Sequence, residues 1–334
     1  MTEQPFTKLS TLLFSTFLLL TACGTPGFEP DEEKPPQKIP ATEMVPADGI
    51  LEAVTWNIEH FGRHESFKQT KNAVRVMDSL NADLFALQEI YSQDVLDKLL
   101  EPLTGYEGLV APHPNKGQKM AFAYNTNTIS VLNSGFISST EVRDRYADQW
   151  SYYWANGRMP FYVNFRYAIN ETKSKDFYAV IIHGKANTGS NAQEYEEAYT
   201  RRQMAAEGLY YYLQDHKPDA NIVMLGDYND DVDQSLFYYD KNNFAETPYD
   251  EFVDDTASFS VITHVLSDDK KSSSIKYLEE GNLIDHITMS DELFDKLIDS
   301  SAAVYYAPQD YISEYGESTS DHLPVWVKFD LTKN

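Results

Sequence analysis

A single cysteine, Cys23, stands among 334 residues, which excludes an internal disulfide and any cysteine-based metal site. Basic residues are scarce: 27 Lys and Arg face 52 Asp and Glu, a formal net charge of −25. That balance argues against a protein that grips polyanions by bulk charge, because neutralising phosphates takes Lys and Arg. Long apolar runs are lacking too. The stretch Leu12–Ala22 is too short to span a bilayer, and no further candidate span follows it. Aromatic residues, by contrast, are plentiful. With 23 Tyr and 18 Phe the chain is not globally disordered, and its length suits two domains or one large α/β or all-β domain.

The apolar stretch has the size of a signal-peptide core, although Lys8 is its only preceding positive side chain and Glu3 offsets it. It ends Leu20-Thr21-Ala22-Cys23-Gly24, which resembles a bacterial lipobox. The resemblance implies a signal peptide over 1–22 and a lipid anchor on Cys23. Gly24 in place of Asp implies sorting to the outer membrane, on its periplasmic or surface side. Residues 23–49 hold Pro26, Pro30, Pro35, Pro36, Pro40 and Pro46 among acidic and basic residues, with few large apolar side chains. Because proline fixes φ and removes a donor, this segment reads as a solvated tether. The globular part is therefore expected over 50–334, as one domain.

Within it, Leu51–Trp56 reads as a strand, 70–82 as a helix and Leu84–Leu87 as a buried strand. Ala121–Tyr124 and Ile129–Leu132 flank turn residues and read as a hairpin. Phe161 to Ile169 alternates with period two, and Phe177–Ile182 is a further strand. Residues 193–216 give the clearest helix, closed by Lys217-Pro218; Ile222–Leu225, Leu283–Ile287 and Leu323–Phe329 complete the strands. Strands outnumber helices, so the expected fold is an α/β (α+β) class with sheet packed on sheet and helices outside.

Asn57, Glu89, His183, Asp227, Asn229, Asp285, Asp321 and His322 each fall at or just beyond the end of an expected strand. Strands ending on one rim can gather such groups from distant parts of the chain. The motifs Trp56-Asn57-Ile58-Glu59, Leu87-Gln88-Glu89, Ile182-His183, Gly226-Asp227-Tyr228-Asn229, Ile284-Asp285-His286 and Ser320-Asp321-His322-Leu323-Pro324-Val325 follow in order. Together they resemble the motif set of the endonuclease/exonuclease/phosphatase superfamily, of which deoxyribonuclease I is a member. The resemblance implies a four-layer α/β sandwich of two mixed sheets.

It also implies roles. Glu89, a hard oxygen ligand, suits Mg²⁺, Ca²⁺ or Mn²⁺, with Asn57, Asp321 and Glu59 as further metal-side groups. Asp227 and Asn229 would orient the attacking water and bind a phosphate oxygen. Asp285 would polarise His322, fixing its tautomer and raising its basicity. His183 would contact the phosphate and protonate the leaving oxygen, and Arg158 in Gly157-Arg158-Met159-Pro160 would bind phosphate. Elsewhere His60, His64, His113, His216, His264 and His286 read as surface or supporting residues. The basic cluster Arg63, Lys68, Lys71 and Arg75 reads as a solvated helix face, and the aromatic stretch Tyr146–Tyr162 as packing.

The expected function is hydrolysis of a phosphodiester, with DNA or RNA as substrate and the protein a monomer. A phosphatase, or a phospholipase C of the sphingomyelinase kind, is the alternative; the latter wants an exposed aromatic hairpin, for which Tyr152-Tyr153-Trp154 is the candidate. An inactive binding protein on the same scaffold is disfavoured, because every core position of the motif set is filled.

Overall fold

A computed structural model describes residues 48–333, except 65, 114–116, 237, 241–242 and 245. The expected signal peptide, Cys23 and the tether as far as residue 47 lie outside the described residues. Among the described residues no helix is long and apolar enough to cross a membrane.

In chain order the strands are β1 (Ile50–Asn57), β2 (Leu84–Ile90), β3 (Tyr106–Val110), β4 (Lys119–Asn125), β5 (Ile129–Phe136), β6 (Phe161–Ala168), β7 (Ser174–His183) and β8 (Ile222–Asp227). There follow β9 (Tyr238–Asp240), β10 (Asn243–Phe244), β11 (Phe259–Val261), β12 (Asp285–Ser290), β13 (Ala303–Val304) and β14 (Val325–Asp330). Two six-stranded sheets result, ordered β13-β14-β1-β2-β4-β3 and β11-β12-β8-β7-β6-β5, with β9 and β10 as a separate ribbon. Both sheets are mixed: β1 pairs parallel with β2 and antiparallel with β14, and β7 pairs parallel with β8.

The side-chain alternation of a strand explains the layering. On β1, Leu51 and Ala53 turn into the core between the sheets, while Val54 and Trp56 turn the other way. On β7, Phe177, Ala179 and Ile181 face inward, and Tyr178, Val180 and Ile182 face outward. Both sets are buried, so each sheet is covered twice. The outer cover of the first sheet is α1 (Phe67–Leu80) and α2 (Gln93–Leu100), which contribute Val74, Met77, Leu96 and Leu99. On the second sheet lie the single-turn helices α3 (Asp144–Ala147) and α4 (Trp150–Tyr153) and the long α5 (Ala192–His216). Fully burying each Leu or Phe in these layers contributes about 1.5–3 kcal/mol. The fold is thus the four-layer sandwich expected.

Several local expectations change. Ala121–Tyr124 and Ile129–Leu132 are not a hairpin: they belong to β4 and β5, which lie in different sheets. The turn between them is a corner from one sheet to the other. It is held there by Thr128, whose hydroxyl donates to Asp83 Oδ1 at 2.6 Å, and by Thr126 N, which donates to Gly105 O at 2.7 Å. Tyr152-Tyr153-Trp154 is not a hairpin either. It lies in and after α4, Trp154 is fully buried, and the Tyr152 hydroxyl donates to Glu197. The packing reading of this stretch holds, since Tyr146 and Trp150 are also core. Of the histidines read as surface or supporting residues, His113 and His286 are buried. On α5, Arg201 and Arg202 are buried beside Ala198, Ala205 and Leu209, although a helical apolar pattern places arginines outward. The basic α1 face is solvated as expected, with Lys71 and Arg75 exposed.

His286 carries a consequence for stability. Its Nε2 lies 3.0 Å from Leu283 O and its Nδ1 2.9 Å from Thr263 Oγ1, a pairing suited to a neutral ring, and burial holds its pKa down to about 4. An unfolded histidine takes its proton near pH 6.5, so the neutral ring's contribution is whole above that pH. It is lost as pH falls toward 4, by about 3 kcal/mol over the window. Asp83, whose carboxyl burial pushes up to about 6, works in the opposite sense. The comparison is therefore between variants: urea midpoints measured from pH 7.5 to 4.5 will fall less steeply for His286→Gln than for wild type. Parallel curves would show that His286 does not set this dependence.

Candidate active site

The C-terminal ends of β1, β2, β7 and β8 and the N-terminal ends of the antiparallel β12 and β14 meet on one rim of the sandwich. There they surround an open polar cleft of about 690 Å³. Nine of the ten residues expected in the site line it: Asn57, Glu59, Glu89, Arg158, His183, Asp227, Asn229, Asp321 and His322. The tenth, Asp285, is fully buried behind His322.

Asp227 sits at the centre. Its Oδ2 accepts from Asn57 Nδ2 at 2.9 Å and lies 3.4 Å from His183 Nε2 and 3.9 Å from His322 Nε2. Its Oδ1 accepts from the backbone N–H of Asn229 at 2.9 Å, a turn in which Asn229 takes a left-handed φ of 55°. Burial raises the Asp227 pKa; the nearby Asp285 adds to this, while His322 and Asn57 oppose it. A carboxyl held in this way is suited to a base near neutral pH.

His322 is fixed from behind. Its Nδ1 lies 2.7 Å from Asp285 Oδ2, which also accepts the Ser273 hydroxyl at 2.6 Å. Trp56 Nε1 and the Tyr315 hydroxyl both donate to the His322 carbonyl. Burial opposes a charge on this ring, but Asp285, Asp227 and Asp321 outweigh it and hold the pKa well above 6.5. His183 is the reverse case: burial, then the charges of Arg158 and His322, push its pKa well below 6.5, so its ring is neutral.

Glu89 faces them across the cleft. Opposite β4 the register of β2 shifts between Leu87 and Ile90, and Glu89 adopts φ 65°, which re-aims its side chain. Its Oε2 accepts from His60 N at 2.7 Å and lies 3.0 Å from His60 Nδ1, and its Oε1 accepts from Gln118 Nε2 at 3.2 Å. Glu59 Oε2 accepts from Asp321 N at 3.2 Å. Burial raises the Glu59 pKa, and the charges of Asp321 and Glu89 raise it further. On the opposite wall Arg158, buried, donates from Nη2 to Gly184 O at 2.8 Å.

Strained backbone concentrates here. Among the described residues eleven non-glycine residues have positive φ, and seven of them line this cleft: Glu59, His60, Glu89, Gln118, Ala155, Asn156 and Asn229. Each such conformation costs of order 1–3 kcal/mol and persists where the surroundings fix it, as at ligand sites.

The donor set suits a divalent cation. Glu89, Glu59, Asn57 and Asp321 are hard oxygen donors, and their mutual repulsion, visible at Glu59, is what a cation relieves. A second place exists: ligand atoms of Asp227, Asp285 and His322 lie within 4.8 Å of one another, and Asp285 Oδ1 is buried without a hydrogen-bond partner among the described residues. A cation there would compete with the 2.7 Å Asp285–His322 contact, so the Glu89 side fits better. Sequence reasoning missed Gln118 and Ser273 as partners, whereas His60, read as a surface or supporting residue, supports Glu89.

A fold and rim of this kind define a phosphoester-hydrolysing class. The chain belongs to the endonuclease/exonuclease/phosphatase family, whose model matches residues 54–322. Members of that family are phosphoester-hydrolysing, divalent-metal-dependent enzymes. No curated protein matches the sequence. Among solved structures, the human Nocturnin catalytic domain with bound sulfate is similar at 17% identity and TM-score 0.56, covering 85% of this chain and 96% of that one. The D. rerio TDP2 complexed with single-strand DNA product is similar at 13% identity and TM-score 0.55, covering 84% and 99%. The Bacteroides thetaiotaomicron mannosyl-6-phosphatase Bt3783 is similar at 15% identity and TM-score 0.51, again covering 84% and 99%. At such identities these likenesses show the fold.

Proposed function

We propose that the protein is a Mg²⁺-dependent phosphodiesterase acting on nucleic acid. The observation that carries this is the pairing of a buried Asp227–His322–Asp285 cluster with the oxygen-rich Glu89 side of the same cleft. Half-buried Lys185 and exposed Lys276 on the cleft wall add local positive charge for a polyanion.

Glu89, with Asn57, Glu59 and Asp321 nearby, would hold the cation, which when bound supplies positive charge at the phosphoryl oxygens. Arg158 and the neutral His183 bind phosphate oxygens by hydrogen bonds. Asp227 takes the proton of the attacking water at Oδ2, and Asn229 fixes the Asp227 side chain through its backbone N–H. As the water oxygen bonds to phosphorus and the bond to the leaving oxygen breaks, His322, cationic and tethered at Nδ1, gives its Nε2 proton to that leaving oxygen. The candidate aromatic hairpin for lipid insertion is not there, so a phospholipase reading has no support from α4.

Supercoiled plasmid, RNA, sphingomyelin and a sugar phosphate incubated with the protein and Mg²⁺ will give nucleic-acid cleavage that stops with EDTA. Asp227→Asn and His322→Ala will each lower kcat by about 10²–10⁴. Turnover of the sugar phosphate or the lipid with intact plasmid and RNA would overturn the substrate assignment.

We also propose that Cys23 carries a lipid anchor in the outer membrane of the bacterial envelope, supported by Leu20–Gly24 and the proline-rich segment after it. Full-length protein expressed in bacteria will pellet with membranes and Cys23→Ser will not; equal partitioning of the two would count against the anchor.

A further inference from the structure

Beside the catalytic cleft lies a second depression of about 510 Å³, and Asn187, Lys276 and Tyr277 form a wall common to both. That volume is in the range of small-molecule sites. Its far side is built by Tyr195 from the first turn of α5, by Gln234 and by Asn282.

Its lining sets two lysines, Lys270 and Lys276, against two carboxylates, Asp233 and Glu280, and is neutral in sum, with Lys276 on the wall it shares with the cleft. Lys270 Nζ lies 3.1 Å from Asp233, Glu280 accepts Asn282 Nδ2 at 3.2 Å, and Lys276 Nζ stands 5.1 Å from the centroid of the Tyr277 ring. A surface of this kind is not made for a second phosphate. It offers two phenol rings and three carboxamides, the groups that take a flat heteroaromatic ring and its hydrogen-bonding edges. At the junction with the cleft, Asn187 Oδ1 is buried and lacks a hydrogen-bond partner among the described residues, an acceptor left for a donor from a ligand.

The walls are held rigidly. The buried Arg202 guanidinium donates to Asp230 Oδ2 at 2.7 Å from Nη2 and to Lys185 O at 2.8 Å from Nη1, while Asp230 accepts Ser235 Oγ and Leu236 N. The loops after β7 and β8, which carry Asn187 and Gln234, are thereby tied together. On the opposite flank a depression shares Glu59 and His60 with the cleft, and among the described residues its wall, with Arg63, His64, Lys68, Glu314 and Glu317, contains no aromatic ring other than histidine. Recognition of a planar group therefore falls to the tyrosine side.

We propose that this depression is a nucleoside subsite. It receives the nucleoside esterified to the phosphate in the cleft, with the base against Tyr195 and Tyr277 and a hydroxyl or amino donor on Asn187 Oδ1. The proposal rests on the reading of the cleft as a phosphodiesterase centre and names what it recognises.

The test is equilibrium binding, by calorimetry in Mg²⁺, of dAMP, ribose 5-phosphate and inorganic phosphate to the full chain. Wild type is expected to bind dAMP at least tenfold more tightly than the other two. Tyr195→Ala and Asn282→Ala, both outside the catalytic machinery, will weaken dAMP about fivefold or more and leave phosphate unchanged. Tyr195→Phe, which keeps the ring, will retain the preference, and far-UV circular dichroism checks the fold of each variant. Equal affinities for dAMP and phosphate would overturn the subsite. So would a preference that Tyr195→Ala leaves intact, or ribose 5-phosphate binding as tightly as dAMP, which would mark a sugar site. Hydrolysis of a chromogenic phosphodiester reads the underlying function separately. If it proceeds with Mg²⁺ while dAMP shows no preference, the subsite falls and the phosphodiesterase stands; the reverse pattern sinks the phosphodiesterase alone.

Discussion

Two polar contacts bridge the sandwich at its catalytic rim, and the site depends on both. Asn57 of β1 donates to Asp227 of β8, and His322, just before β14, meets Asp285 of β12. In each pair one partner comes from either sheet, and all four residues are buried. Burying such groups is costly unless each finds its partner, so the sheets are locked in the register that brings these pairs together. The apolar layers between and outside the sheets are the source of hydrophobic stabilisation, while the rim contacts select one alignment. Elements that look decorative follow from this. Ser273 holds Asp285, Ser320 takes the backbone of His322 while donating to Asn57 O, and Trp56 and Tyr315 clamp the His322 carbonyl.

The second constraint is charge. Glu59, Glu89, Asp227, Asp285 and Asp321 crowd one rim of an already acidic protein, against the buried Arg158 and Arg201, Lys185 and Lys276 on the cleft wall, and a histidine held charged by its neighbours. The consequences run in opposite directions for neighbouring groups. Burial and then repulsion raise the Asp227 and Glu59 pKa values, whereas burial and Arg158 keep His183, beside Asp227, neutral. The net charge of −25 thus does not bar a phosphate-bearing substrate. It makes binding depend on a cation and on a few positive groups at the cleft, and leaves the rest of the surface repellent.

Much of this was legible from the residues alone. Period-two alternation gave β6, helical spacing gave α1 and α5, and the habit of polar residues at strand ends gave nearly all of the rim, because strand ends are where a sheet can offer side chains to solvent. What escaped has physical causes. The Asn-rich turn after β4 looks like a hairpin turn, since local sequence encodes a reversal but not which sheet receives the next strand. Glu89 was found, but the bulge that aims it is a matter of pairing between β2 and β4, and so was invisible. Arg202 sits inward on α5 because Asp230, twenty-eight residues away, neutralises it inside the fold; a hydrophobicity pattern reads any arginine as outward. The neighbouring tyrosine depression draws on three separate loops, none of which carries a motif.

The proposed function divides labour across the rim, with the cation on the Glu89 side and the Asp227–His322–Asp285 cluster reserved for protons and phosphate. Calorimetric titration with Mg²⁺ tests it most directly. A binding isotherm present in wild type and in His322→Ala, and abolished in Glu89→Ala, is the predicted result. An isotherm that survives Glu89→Ala and disappears in His322→Ala or Asp285→Ala would contradict it and move the cation into the buried cluster.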